Sequence, residues 1–380
     1  MAVLVLSPAA SDPTSWRRLV AELGPRLAAA ETRSDATGSY VAGNMALLRE
    51  TGFLALAVPS ELGGAGLSRI ELSAVLRELG KHCSSTALAF AMHTHVVAAA
   101  AWRWRHQQAP VEGLLKRVAA EQIQILSSGG SDWLDSSGKA VKVEGGYRLQ
   151  ARKNFASGAP SAQLFMTSAI EEDAEGGPTV LHFALPMNAE GVSILDNWDT
   201  LGMRGTASQD VLLDNVFVPD AAISGRRKPG PWHPLLHIVS MVAIPLVYAV
   251  YVGVAEAARG TAIAAAMARP AAADVALAGA LDTELAALEI TLASMVEFAE
   301  HAQPSPETTN RIFMHRALIV RSALKTVELA MELAGGVSYF RKFGLEKLFR
   351  DVQGARFHPL RDATQQRLAG RMALGLPIDG

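Results

Sequence analysis

From about residue 12 to 120 apolar residues recur every three or four positions, the spacing of helices that bury one face. Leu72, Val75, Leu76 and Leu79 carry this pattern, and Ser68-x-x-Glu71 ahead of them predicts a capping box. Asp12-Pro13 predicts an earlier helix start, with proline at the first helical position. Residues 53–59 form a short apolar run and residues 61–66 a glycine turn, the loop ahead of a new helix. From 121 to 222 the pattern shortens to strands: residues 147–151 alternate, Thr179–Pro186 is apolar, and 210–218 runs into Pro219. After 233 the chain reads as helix to its end, with Ser305-Pro306-Glu307 as a clean start. The organisation expected is a helical domain over 1–120, a β domain over 121–222 and a helical block over 223–380.

Residues 229–255 contain no Asp, Glu, Lys or Arg, which raises a membrane span. His233, His237, Ser240, two tyrosines and four prolines interrupt that run. A helix starting near Leu235 and buried in a bundle or subunit interface explains it better.

Composition narrows the class. The 380 residues are 49% hydrophobic and 19% charged, as in a globular protein with a large core. With 35 basic against 37 acidic residues, no net field favours nucleic acid or an anionic membrane. Cys83 is the one cysteine, and residues 1–12 lack the pattern of a secretory signal, so a cytoplasmic protein is expected. His93 and His95 are two apart on a predicted helix and face different ways, and no other metal spacing occurs.

Two segments carry more. Residues 197–219 join Asn-Trp-Asp-Thr-Leu-Gly-Met-Arg-Gly-Thr-Ala-Ser-Gln-Asp to an apolar strand, and Leu333-Ala-Gly-Gly-Val-Ser-Tyr339 lies between helical stretches ahead of Leu345-Glu-Lys-Leu-Phe-Arg-Asp351. Together they resemble the acyl-CoA dehydrogenase superfamily of flavoproteins, and the likeness covers nearly the whole chain. It implies an α+β fold: an N-terminal helical domain, a central β-barrel domain and a C-terminal four-helix bundle. It also implies FAD, with FMN as the alternative, a small-molecule substrate such as an acyl-CoA, an electron-transfer partner or flavin reductase, and a homodimer or homotetramer.

Further resemblances assign residues. Ser127-Ser128-Gly129-Gly130-Ser131-Asp132 resembles the family's glycine-serine loop at the flavin edge, shortened and without Thr-Glu-Pro. Phe155-Ala156-Ser157 is similar to its Trp-Ile-Thr wall, with Phe155 against the ring and Ser157 for threonine. Singly, both are also ordinary turn sequences. Gly335 and Gly336 resemble the loop that supports the nucleotide pyrophosphate from a neighbouring subunit; a bare Gly-Gly also suits a helix C-cap. Glu332 replaces a common glutamine, and only Arg269 remains of an Arg-x-x-Phe-Gly segment, which leaves weak FAD binding, or FMN, open. Arg204 is a candidate cation beside ring or substrate, or an ion-pair partner of Asp199 or Asp210. Arg226-Arg227-Lys228 suits a CoA phosphate or a solvated loop.

The family's dehydrogenases need a carboxylate base. Its two positions fall here on Pro359 or Leu360, and on Ala243 or Ile244, none of which accepts a proton. His358 is the remaining candidate, against the alternative of a surface or cap histidine. Missing bases characterise the superfamily's two-component monooxygenases, which use supplied reduced flavin and O2 and require a dry pocket with a hydrogen-bond donor. Three functions compete: α,β-dehydrogenation of an acyl thioester, which leads on family frequency; flavin-dependent oxygenation; and a flavin-less structural homologue.

Overall fold

The computed structural model describes residues 13–379, without the side chains of Pro13, Thr14, Ser131 and Ala272. The cap predicted at Asp12 lies outside the described residues. Five helices open the chain: α1 (Pro13–Thr37), α2 (Ala42–Glu50), α3 (Arg69–His82), α4 (Ser84–Gln107) and α5 (Glu112–Glu121). The capping box at α3 is present in both directions: Glu71 N–H donates to Ser68 Oγ, and Ser68 N–H to the Glu71 carboxylate at 2.7 Å.

The strands follow: β1 (Ile125–Ser127), β2 (Lys139–Val143), β3 (Gly146–Ala156), β4 (Leu164–Glu171), β5 (Thr179–Pro186), β6 (Val192–Ile194), β7 (Gln209–Pro219) and β8 (Ile223–Arg227). They form one sheet in the order β6-β7-β3-β2-β4-β5-β8, with β1 added in parallel to β4. Tyr147, Leu149 and Ala151 point to one face and Arg148 and Gln150 to the other, so the inner face joins Phe165, Phe183, Leu213 and Val218 in a second core.

The rest is helical: α6 (Pro234–Met267), α7 (Val275–His301), α8 (Pro306–Ala334), α9 (Leu345–Val352) and α10 (Asp362–Ala373). Only α6 is long and apolar enough to cross a membrane among the described residues, yet 94% of its apolar window is buried inside the protein. It is the core helix, packed on α3, α4, α7, α8 and α9. Gly80 and Gly253 let α3 and α6 touch: a Cβ on Gly253 would lie 2.1 Å from the Arg77 carbonyl, and one on Gly80 2.5 Å from that of Val250. β1 packs on α4, and the candidate site lies beyond it, where the chain turns from β1 towards β3.

Candidate functional site

The chain leaves β1 at Ser127 and turns at once. Thr167 Oγ1 donates to Ser128 Oγ at 3.1 Å, and Gly129 N–H to the Asn154 carbonyl at 2.9 Å. A Cβ on Gly129 would stand 2.8 Å from the Phe155 Cβ, and one on Gly130 2.3 Å from Pro359 Cγ. Glycine is needed at both because β3 and the 358–360 segment close on the loop from two sides. Ser131 belongs to the 3-10 turn Gly130–Asp132, but its side chain lies outside the described residues. Beneath the turn Lys153 is fully buried, with Nζ 2.8 Å from Asp132 Oδ2 and 2.7 Å from the Ser137 carbonyl. Burial lowers the Lys153 pKa, and the Asp132 charge opposes the shift. This pair fixes the loop to β3 and holds Asp132 under the cleft.

Phe155 sits where the β3–β7 register slips, at φ 57°, and its ring is 56% exposed. It meets Trp198 edge-on, centroids 6.1 Å apart. Both line a cleft of about 510 Å³ with Arg152, Asn154, Asn197, Thr200, Ser208 and Asp210. Ala156 is buried, and Ser157 begins a hydroxyl chain: 2.7 Å to Ser208, 2.7 Å on to Thr206, then 2.9 Å to the Met203 carbonyl.

Arg204 is braced away from this chain. Its Nε donates to the Asp35 carbonyl at 3.0 Å, and Nη1 to Asp199 Oδ1 at 3.1 Å and the Thr200 carbonyl at 3.0 Å. The ion-pair alternative describes that geometry. A buried network anchors the same loop: Asp351 Oδ1 accepts from Met203 N–H at 2.6 Å, and Lys347 lies between Asp351 and Glu31.

On the helical side His358 is half-buried, not a surface residue, and its Nε2 is 2.6 Å from Tyr251 Oη. Burial lowers its pKa to about 4, aided by the charges of Arg316 and His95, so the ring is neutral at pH 7. His95, on α4, is also held at about 4 by burial, its Nδ1 donating to the Ala91 carbonyl at 3.0 Å. His93 turns the other way and ties α4 to β1: Nε2 lies 2.8 Å from the Leu54 carbonyl, and Nδ1 accepts from Ile125 N–H at 3.0 Å. Leu360, Ala243 and Ile244 are buried apolar residues, and Pro359 packs on Gly130. Neither family base position therefore carries a carboxylate. His95, Tyr251 and Arg316 are absent from the sequence-derived site. A weak signal for Arg316 existed, since it falls in helical phase with the buried Ile312, Phe313 and Ile319.

Three family models match the chain: acyl-CoA dehydrogenase N-terminal domain over 15–109, middle domain over 127–216 and C-terminal domain over 246–362. The chain belongs to the acyl-CoA dehydrogenase superfamily. Membership places it among the flavin-dependent oxidoreductases. L-evernosamine nitrososynthase of Micromonospora sp. is 28% identical over 381 residues, covering 95% of this chain and 90% of its own. A structure of KijD3 in complex with FMN and dTDP-3-amino-2,3,6-trideoxy-4-keto-3-methyl-D-glucose superposes with a TM-score of 0.90, at 26% identity, over 99% of this chain and 97% of that one. Methanesulfinate monooxygenase MsuC from Pseudomonas fluorescens, at 21% identity and TM-score 0.83 over 99% of both chains, shares the fold.

The superfamily implies a flavin, and the residues present fit one. Gly129 and Gly130 leave backbone where a Cβ would not fit, Phe155 exposes its ring beside Trp198, and Ser208 lines the same cleft. Arg269 and the glycine pair also meet, forming an open ledge at the end of α8. Arg269 Nη2 donates to the Ala334 carbonyl at 2.9 Å, beside Gly335 at φ 72° and ψ −161°. Gly335 N–H caps α8, and Gly335 and Gly336 are both exposed with nothing within 4 Å of a Cβ at either. The two expectations for this pair coincide: it ends the helix and leaves open backbone. Of the 226–228 cations Arg226 and Lys228 are exposed, as a solvated loop implies, and Arg227 is not. Arg227 is buried and donates to the Trp133 carbonyl at 2.8 Å and to His182 Nε2 at 3.0 Å, while Arg226 donates to the Tyr147 hydroxyl at 2.8 Å.

Proposed function

We propose that this protein is a flavin-dependent monooxygenase, receiving reduced flavin from a separate reductase and using O2 to oxidise a small molecule. The observation that carries this reading is that both base positions hold apolar residues or proline, and that the nearby His358 is a neutral imidazole bonded to Tyr251. Dehydrogenation of an acyl thioester, first on family frequency, gives way for that reason: no positioned carboxylate takes the α-proton. The relatives' own subjects, evernosamine and an amino-keto sugar nucleotide, make an amine nitrogen the substrate class to test first.

A bound reduced flavin supplies the electrons with which O2 is activated. Ser128, Ser157 and the backbone at Gly129 and Gly130 would hold it, with Phe155 as aromatic cover and FMN and FAD both compatible. His358, neutral near pH 7, offers a hydrogen-bond donor without a charge, and Tyr251 fixes its ring. Ala243, Ile244 and Leu360 keep water from that side. On the ledge, Gly335, Gly336 and Arg269 await the phosphate end of a flavin held by a second copy of the chain, which makes the working form a homo-oligomer. Its place is the cytoplasm, beside the reductase.

The test is direct. Protein loaded with FMN or FAD is reduced, then mixed with O2 and amino-sugar nucleotides, and products are weighed for added oxygen. A gain of one oxygen atom with O2 consumption supports the reading. Bleaching of oxidised flavin by an acyl-CoA without O2 restores dehydrogenation, and failure to bind either flavin removes both.

A further inference from the structure

Arg316 is a buried guanidinium on α8 whose five hydrogen bonds all go to the surroundings of one segment. Nη2 donates to the carbonyls of Ala355, Arg356 and His358 at 3.3, 3.1 and 3.1 Å. Nε donates to Tyr248 Oη at 2.7 Å, and Nη1 to Asp362 Oδ1 at 2.6 Å. Tyr248 Oη in turn donates to the Ala355 carbonyl at 2.9 Å. Gln353–Arg356 is one 3-10 turn and residues 357–361 are an irregular bend, so no ladder sets the direction of the His358 ring. A rigid five-donor fork reaching three carbonyl groups within four residues does so instead.

The neighbouring phenol fixes the proton. Among the described residues Tyr251 Oη bonds to His358 Nε2 alone, and burial pushes its pKa well up, with Tyr248 and Asp351 adding to the shift. If the imidazole donated, a buried O–H would lack an acceptor. Tyr251 therefore donates to Nε2, and the ring carries its hydrogen on Nδ1.

We propose that Arg316 is a positioning residue: by gripping the 355–358 carbonyls it holds His358 against Tyr251 and presents the Nδ1–H as the site's donor. The inference rests on His358 being the donor of the proposed oxygenase. The groups facing the ring are Tyr248 and Tyr251 from α6, His95 from α4 and Arg316 from α8, with Asp362 of α10 behind Arg316.

The experiment uses flavin-loaded full chain carrying ¹⁵N-labelled histidine, with the His358 signals assigned by their loss in His358→Gln. Wild type is expected to show the Nδ1–H tautomer and an imidazole neutral down to about pH 4. Arg316→Met should mix the tautomers and move the titration upward, because a positive charge beside the ring is gone. Its kcat should fall about tenfold with KM little changed, a part of the roughly 10²–10⁴-fold that a general acid–base group contributes. Arg316→Lys, which keeps the charge, should restore the low titration. Folded Arg316→Met with an unchanged tautomer and titration overturns the proposal. Should Arg316→Met not fold, Asp362→Ala removes one outer tie at an exposed carboxylate, and an unaltered His358 signal there overturns it equally. The NMR arm needs no turnover, so a shifted signal in a protein that oxygenates nothing upholds the grip while rejecting the oxygenase.

Discussion

The inner wall around His358 and the ledge at Gly335 differ in completeness. Within one chain the wall is closed: Gly130 meets Pro359, Tyr251 bonds His358, and Arg316 ties the backbone behind them. The ledge is open, with Gly335 and Gly336 exposed and Tyr339 and Phe340 beside them 84% and 59% exposed. On the proposed reading, chemistry and the grip on the flavin's far end have separate origins, the first in one core and the second in a second copy of the chain.

Acid should break the comparison most strongly. His93, His95 and His358 are each held at about 4 by burial, below the ordinary imidazole value. Between 4 and 6.5 the unfolded chain takes up protons that the folded wall refuses. Stability from these rings is therefore complete above pH 6.5 and declines as pH falls towards 4. His93 shows why, since Ile125 N–H donates to its Nδ1 and a protonated ring accepts nothing. Summed, the loss is on the order of several kcal/mol. Urea midpoints at pH 7 and pH 5 measure it, and a flat response means the wall is not built on neutral imidazoles. The ledge segment 332–343 has no histidine to add to this slope.

Next in size, Gly130→Val places branches against Pro359 Cγ, already 2.3 Å from a bare Cβ. Overpacking of this kind costs about 1–3 kcal/mol, and flavin affinity should fall with the loop's displacement. Wild-type melting and flavin fluorescence quenching in this variant would separate the loop from the flavin cleft. His358→Ala leaves the fold standing but should lower turnover at least tenfold, as losses of a proton donor generally do. Unchanged turnover would return His358 to a packing role.

How much of this was legible follows the range of each interaction. The α3 and α8 starts were, because Ser68 with Glu71 and Ser305 with Thr308 N–H bond within one turn. Strand Thr179–Pro186 appears with the expected bounds, and α6 begins at Pro234, one residue from the expected place. Of the wall only His358 was, since His95, Tyr251 and Arg316 meet it only after three helices and the bend at 357–361 pack together. Arg316 reads like Arg311, Arg321 and Lys325, which are exposed on the same helix, and only its phase sets it apart. Arg227 misled similarly: three adjacent cations suggest a solvated loop, while the middle one threads to carbonyls of the turn after Asp132.

The smallest effect tests the ledge. Arg269→Ala removes one half-buried bond to the Ala334 carbonyl, a loss of about 1 kcal/mol or less to the monomer's stability. Gly335→Ala forces a side chain into a glycine-only backbone region, costing about 1–3 kcal/mol although nothing crowds the Cβ. Neither touches the wall, so turnover with saturating flavin should stay near wild type. If the ledge takes the phosphate end of a flavin from a second copy, both variants weaken flavin binding far more than they lower the melting temperature. The effect should also grow from FMN to FAD as more phosphate must be held. Equal flavin affinity in Arg269→Ala and wild type, measured at a concentration where the protein self-associates, would make the arginine a helix cap and leave the wall as the whole of the site.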